Sequence, residues 1–231
     1  MTDEALCASV AMVTLGDAGD ILGEVARRRL PDALPQLAAL IRRFTGFATR
    51  GPIIEQTEAL RALVAIGGPD AAAVVRSAIE RGEFNRANLP AALRAAAQLA
   101  IRLEPSVVEA ALRHDVAEIR LAACAFVSAR PNLLALLVER LADQDEAVRI
   151  AAACALGDLG RVEARPILRG LLQTSPSIMI IEAAASVADE AMVVQLGKLA
   201  REQACFRDPV VQALEDCDFA LAAKIRRDLA G

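Results

Sequence analysis

Residues 141–172, LADQDEAVRIAAACALGDLGRVEARPILRGLL, spell a helix, a tight turn and a second helix, and weaker copies of that spelling recur on both sides. Asp145 is placed to cap the first helix. Val148, Ala152, Ala155, Leu156 and Leu159 follow at three- and four-residue steps, which puts them on one face of a 3.6-residue helix. Gly157 and Gly160 permit the turn. Pro166 falls in the first turns of the second helix, over 162–172, where a missing N–H costs little. A lone pair of such helices cannot cover its own apolar surface, so it needs neighbours of the same kind.

Anchoring each first (inner) helix on the Leu, Ile or Val before its turn gives Leu15, Ile66, Leu99, Val127, Leu156, Val187 and Leu214. After a first step of about 50 residues the anchors recur about every 30, the period of a two-helix repeat. Second (outer) helices are then expected at 31–43, 69–81, 105–113, 131–142, 161–173, 189–202 and 218–229. The predicted fold is an all-α solenoid, a right-handed superhelix of about seven stacked hairpins. It fills 1–231 as a single domain, since no linker or charge block divides the chain. The long first step is assigned to an irregular loop at 44–56, FTGFATRGPIIEQ, in which two glycines and a proline forbid a continuous helix. A loop of this length is often functional. The alternative is that Phe44, Phe47, Ile53 and Ile54 fold back over the end of the stack. A smaller break at 82–88 reads as a plain connecting turn, with Asn88 starting the next helix.

Val148 and Arg149, Ala152 and Ala153, Leu156 and Gly157, and the run Ala164-Arg165-Pro166-Ile167-Leu168 together resemble the HEAT repeat, in the short bacterial variant named after phycobilisome lyases. Fragments of the same pattern appear at 15–19, at 66–68, at 33–37 and at Ile119 with Arg120. The resemblance implies architecture rather than activity. It also implies a ladder between an Asp in the turn and an Arg early in the inner helix. Asp143 or Asp145 with Arg149, and Asp115 with Arg120, would supply two rungs. Ala59, Ala92 and Ile180 stand where further arginines would be.

Candidate chemistry is sparse. His114 is the only histidine, which precludes a histidine metal cluster, and its place before Asp115 suits capping. The paired glycines follow inner helices instead of opening a helix after a strand, so they read as repeat turns and not a phosphate loop. The five cysteines contain no C-x-x-C pair and read as small buried apolar residues. No catalytic residue, metal or cofactor is therefore expected. A net charge of −4 and the lack of Trp and Tyr argue against nucleic acid or an anionic membrane surface as partner. No apolar run approaches the ~20 residues of a membrane span, and the acidic start Met1-Thr2-Asp3-Glu4 is unlike a secretory signal. A cytoplasmic location is expected.

What remains is surface. If Val148, Ala152, Ala155 and Leu156 face the core, positions 147, 151, 154 and 158 turn toward the groove lined by inner helices. Transferred along the repeats, this column reads Thr57, Arg61, Val64, Arg94, Ala97, Glu118, Ala122, Ala125, Ala147, Ala151, Cys154, Asp158, Ile178, Glu182, Ala185 and Asp189. It is basic first, small and apolar in the middle, and acidic last. Either the small residues merely let inner helices stack and the charges are solvated, or the column holds an amphipathic helix or extended peptide. The expected function is a non-catalytic scaffold or adaptor for another protein or peptide. Its binding residues would be Arg61, Arg94, Glu118, Ala122, Ala151, Asp158 and Glu182, with Phe47 of the loop as a separate anchor. The alternative implied by the resemblance is a lyase-like or chaperone-like protein acting on a tetrapyrrole-carrying partner.

Overall fold

A computed structural model describes residues 1–47, 51–127 and 130–230, and every regular element among them is helical. The residues group into two compact units, Met1–Ala111 and Leu112–Gly231.

The first unit holds α1 (Asp3–Val10), α2 (Ala18–Arg28), α3 (Leu34–Arg43), α4 (Ile54–Ile66), α5 (Gly68–Glu80), α6 (Leu89–Gln98) and α7 (Pro105–Leu112), whose last residue begins the second unit. Helices α2, α4 and α6 pack side by side in one row, and α1, α3 and α5 in another. The predicted outer helices are present, but the first inner helix is not the one expected. That helix is α2, which buries Ala18, Leu22 and Val25 at helical spacing, while Leu15 is exposed in the preceding turn. Thus the long first step conceals a helix as well as a loop, and α1 is an additional element ahead of the hairpins. The loop is also shorter than predicted, since 54–56 already belong to α4. Ile53 does fold back into the core. Phe47 and Ile54 stay exposed.

The second unit holds α8 (Ala117–Ala123), α9 (Pro131–Glu139), α10 (Glu146–Asp158), α11 (Arg165–Thr174), α12 (Ile178–Ser186), α13 (Glu190–Glu202), α14 (Arg207–Ala213) and α15 (Ala220–Ala230). Here α8, α10, α12 and α14 form the inner row, with α11, α13 and α15 along its other side. Asp145 caps α10 by accepting the Val148 N–H at 3.2 Å, and Pro166 stands in the first turn of α11. Gly160 has φ +68° and makes the turn, but Gly157 lies inside α10. Its role is close approach: a Cβ at 157 would sit 2.6 Å from the Ala183 carbonyl oxygen of α12. Counted by hairpin among the described residues, three in the first unit and four in the second reach the expected seven. The largest fully buried side chains of each unit are Leu and Ile, including Leu22, Leu37 and Leu63 in the first and Ile119, Leu137 and Leu156 in the second. Each such side chain contributes about 1.5–3 kcal/mol on burial.

Buried polar side chains tie successive hairpins together. In the first unit the Asn88 side chain, fully buried, accepts the Ile53 N–H at 2.7 Å and donates to the Ile53 carbonyl at 3.0 Å and to Thr57 Oγ1 at 3.1 Å. Gln56 Nε2 donates to the carbonyls of Ile41 and Glu83, both at 3.0 Å. Asn88 does start a helix, but its side chain serves the start of α4, where Ile53 has no capping side chain of its own. The 82–88 segment is therefore a lock between hairpins, not a plain turn.

Candidate functional site

In the second unit the outward face of the inner row presents Glu118, Ala125, Ala147, Asp158, Ile178 and Glu182, all exposed, with Ala151 and Ala185 half-buried. Three members of the predicted column are not on that surface, and one of them, Asp189, caps α13 and pairs with Arg169 at 2.8 Å. Ala122 and Cys154 are buried, because inner helices approach closely enough that these positions meet the neighbouring helix instead of water. Ala122 is thus a packing residue, and a carboxylate placed there would be buried without a partner. Burial pushes the Cys154 thiol up to about 11, aided by the nearby Asp158 carboxylate, so it is no ready nucleophile. The Asp158 carboxyl is itself raised, first by desolvation and then by the Glu182 carboxylate across the row.

Within the first unit, Arg61 on α4 and Arg94 on α6 are both exposed. Arg61 Nη1 pairs with Glu58 Oε2 at 3.0 Å. Thr57 is half-buried and donates to the Ile53 carbonyl, so it belongs to the lock and not to the surface. Phe47 lies apart from this row, in the turn after α3, with its ring edge-on to Phe44 at 5.8 Å.

The ladder exists in a different register from the one expected. Arg120 reaches forward to the next repeat, where its Nε and Nη2 bond the Asp143 carboxylate at 2.9 and 2.7 Å. This fork-to-fork pair is buried, the Arg120 and Asp143 side chains being 12% and 2% exposed. Its Nη1 donates backward to the His114 and Asp115 carbonyls, both at 2.9 Å. Arg149 repeats the backward half, donating to the Asp143 and Gln144 carbonyls. Arg149 thus meets main-chain carbonyls where a rung to the Asp143 or Asp145 carboxylate was expected, and the carboxylate that Arg120 grips with two nitrogens is that of Asp143. Asp145 caps α10, and Asp115 offers Arg120 its main chain. The Arg120 guanidinium holds the Asp143 carboxyl below its ordinary value against the opposing effect of burial. His114 Nδ1 accepts the Val116 N–H at 3.0 Å, a bond within the turn ahead of α8 and not a cap on the helix itself.

A cleft of about 400 Å³ opens over this cluster, lined by His114, Arg120, Arg140, Asp143 and their neighbours. Its charges are largely spent on one another, since Arg140 also meets Asp143 at 3.3 Å. Among the described residues no group of His, Cys, Asp or Glu is arranged to hold a metal, and no helix is long and apolar enough to cross a membrane. Asn88, Gln56 and Asp143 are the polar residues that matter most here. The first two carry no periodic signal that would have marked them.

Helices paired as hairpins, stacked in rows and joined by buried side chain to main chain bonds, define a helical repeat protein. Residues 104–189 match the family of HEAT repeats. A search of curated proteins gave no match. The matched segment runs from the start of α7 to the N-cap of α13 and contains both Arg120 and Arg149.

Proposed function

We propose that the chain is a non-catalytic scaffold or adaptor, cytoplasmic and of the short bacterial repeat type, whose inner helices hold a partner protein or peptide. HEAT repeats commonly serve as interaction scaffolds. The observation that carries the reading is the acidic, small-residue face of the second unit. There Glu118, Asp158 and Glu182 stand exposed beside Ala125, Ala147 and Ala151. Crowding of Asp158 by Glu182 leaves negative charge that a cationic side chain would relieve. A cationic amphipathic helix fits that chemistry, with small residues giving close approach and carboxylates flanking it.

Titration of labelled amphipathic helices, one cationic and one anionic, by fluorescence anisotropy tests the reading. The cationic helix should bind the wild type, lose affinity at high salt, and fail to bind a variant carrying Asp158→Lys and Glu182→Lys. Equal binding of both helices, or binding untouched by the double variant, would place partner capture elsewhere.

A further inference from the structure

We propose that the His114 imidazole is a proton-operated latch on the charged joint of the second unit. Neutral, it holds the peptide between Asp115 and Val116 in place; protonated, it releases that peptide and turns to the Asp115 carboxylate. The geometry behind this is one nitrogen with two claimants. Nδ1 of His114 stands 3.0 Å from the Val116 nitrogen and 2.9 Å from Asp115 Oδ1. It cannot serve both. With a free lone pair it accepts the Val116 N–H and offers the carboxylate nothing. Carrying a proton taken from solvent, it donates to the carboxylate and leaves the N–H without its acceptor.

The peptide at stake is one that the joint uses. Its carbonyl, that of Asp115, accepts Arg120 Nη1 at 2.9 Å, and its N–H, that of Val116, is the group His114 holds. Both ends of one peptide plane are therefore fixed, one by the guanidinium that grips Asp143 and the other by the imidazole. The next carbonyl, that of Val116, accepts the Ile119 and Arg120 N–H groups and so opens α8. Releasing the Val116 N–H loosens the plane through which Arg120 reaches back and the residue from which α8 starts. The fork to Asp143 and the bond to the His114 carbonyl remain, so the change is confined to the turn and the start of α8.

The imidazole is open to protons, since its side chain is 29% exposed and lines the cleft of about 400 Å³. The charged groups around that cleft are Arg113 just after α7, Asp115 in the turn, Arg120 on α8, Glu139 and Arg140 at and beyond the end of α9, and Asp143. The guanidiniums stay charged at any pH a folded protein meets. Arg120 keeps the Asp143 carboxyl below its ordinary value, so it too stays ionised as a histidine titrates. Histidine is the side chain whose charge ordinarily changes between pH 5 and 8, and the chain has one. The amide joint of the first unit has no counterpart, because Asn88 and Gln56 carry no proton to gain or lose.

Nitrogen NMR of the imidazole and amide hydrogen exchange, both on the full chain, test the latch. At about pH 8 the neutral ring should carry its proton on Nε2, and the Val116 N–H should be protected. On acidification to about pH 5 that protection, corrected for the intrinsic exchange rate, should fall about fivefold or more in step with imidazole protonation, while amides in the middle of α10 keep theirs. His114→Asn retains an acceptor oxygen but takes up no proton, so its Val116 protection should stay level across the same range. Asp115→Asn removes the carboxylate that favours the charged ring, and should move ring protonation and the loss of protection to lower pH together. Any of four results overturns the proposal: a neutral ring with its proton on Nδ1, Val116 protection indifferent to ring protonation, a fall that survives in His114→Asn, or a midpoint unmoved by Asp115→Asn.

Discussion

The two units solve one problem with different chemistry. Each must fasten the turn of one hairpin to the next. The first uses neutral amides, with Asn88 gripping both polar groups of Ile53 and Gln56 bridging Ile41 and Glu83. The second uses charge, with Arg120 spanning its own turn and the Asp143 carboxylate of the next repeat. The family match falls on 104–189, which includes the charged fastening and leaves out the amide one. Repeat stacking therefore does not depend on the Arg–Asp pair as such. It depends on any side chain that satisfies main-chain groups across the joint, and a fully buried amide does so without bringing charge into the core.

The largest effect should come from breaking the charged joint on one side. Arg120→Ala leaves the Asp143 carboxylate buried with Arg140 as its remaining cation, and strips the His114 and Asp115 carbonyls of a donor. We expect a loss of about 3–4 kcal/mol in urea denaturation. Asn88→Ala comes next, at about 2 kcal/mol, because it orphans the Ile53 N–H but strands no charge, the Ile53 carbonyl keeping the Thr57 N–H and hydroxyl. Hydrogen exchange should separate the two. The first variant should expose amides of α8 and α10, the second those of α4 and α6. Faster exchange in both regions from either variant would mean the joints are not independent.

Acid should divide the joints as well. The Asp143 carboxyl is lowered in the folded state, chiefly by Arg120, so its contribution is present above the unfolded carboxylate value near 3.9 and is lost as pH falls through the folded value. Asp143→Asn should thus cost stability at pH 7, and its deficit should shrink steadily below about pH 4. Asn88 does not titrate, and the deficit of Asn88→Ala should lack this feature. Comparing each variant with wild type at every pH removes the background of other depressed carboxyls such as Glu24, which Arg27 and Arg28 hold near 2. Parallel curves for the two variants would show that Asp143 is not the acid-sensitive element.

How legible was this in the sequence? Hairpins were, because three- and four-residue spacing is a direct image of a helix face, as the buried Val148, Ala152 and Leu156 show. Helix α2 was hidden because Gly19 and Gly23 weaken its local signal, although Ala18, Leu22 and Val25 already carried the spacing. Alanine and glycine proved uninformative about facing. Ala122 suits an open groove and a tight helix contact equally, and Gly157 reads as a turn residue until Ala183 is found against it. Asn88 and Gln56 have no period at all. Their roles come from main-chain groups 15–35 residues away.

The smallest predicted effect discriminates between two carboxylates that stand two residues apart. Asp143 and Asp145 are equivalent by spacing, and the backbone decides between them. Asp143 carries its carboxylate to Arg120 and also accepts the Asp145 N–H at 3.0 Å, while Asp145 turns back to the Val148 N–H. An asparagine oxygen caps a helix about as well as an aspartate oxygen, so Asp145→Asn should cost under about 0.5 kcal/mol, whereas Asp145→Ala should cost about 1. At position 143 an amide would face the Arg120 guanidinium with one of its two carboxylate acceptors replaced by a donor, and the penalty should be several times larger. The unfolding midpoints of these three variants rank the roles. If Asp145→Asn proved as damaging as Asp143→Asn, both carboxylates would be rungs, and the charged joint would be wider than the single fork that distinguishes it from the amide joint of the first unit.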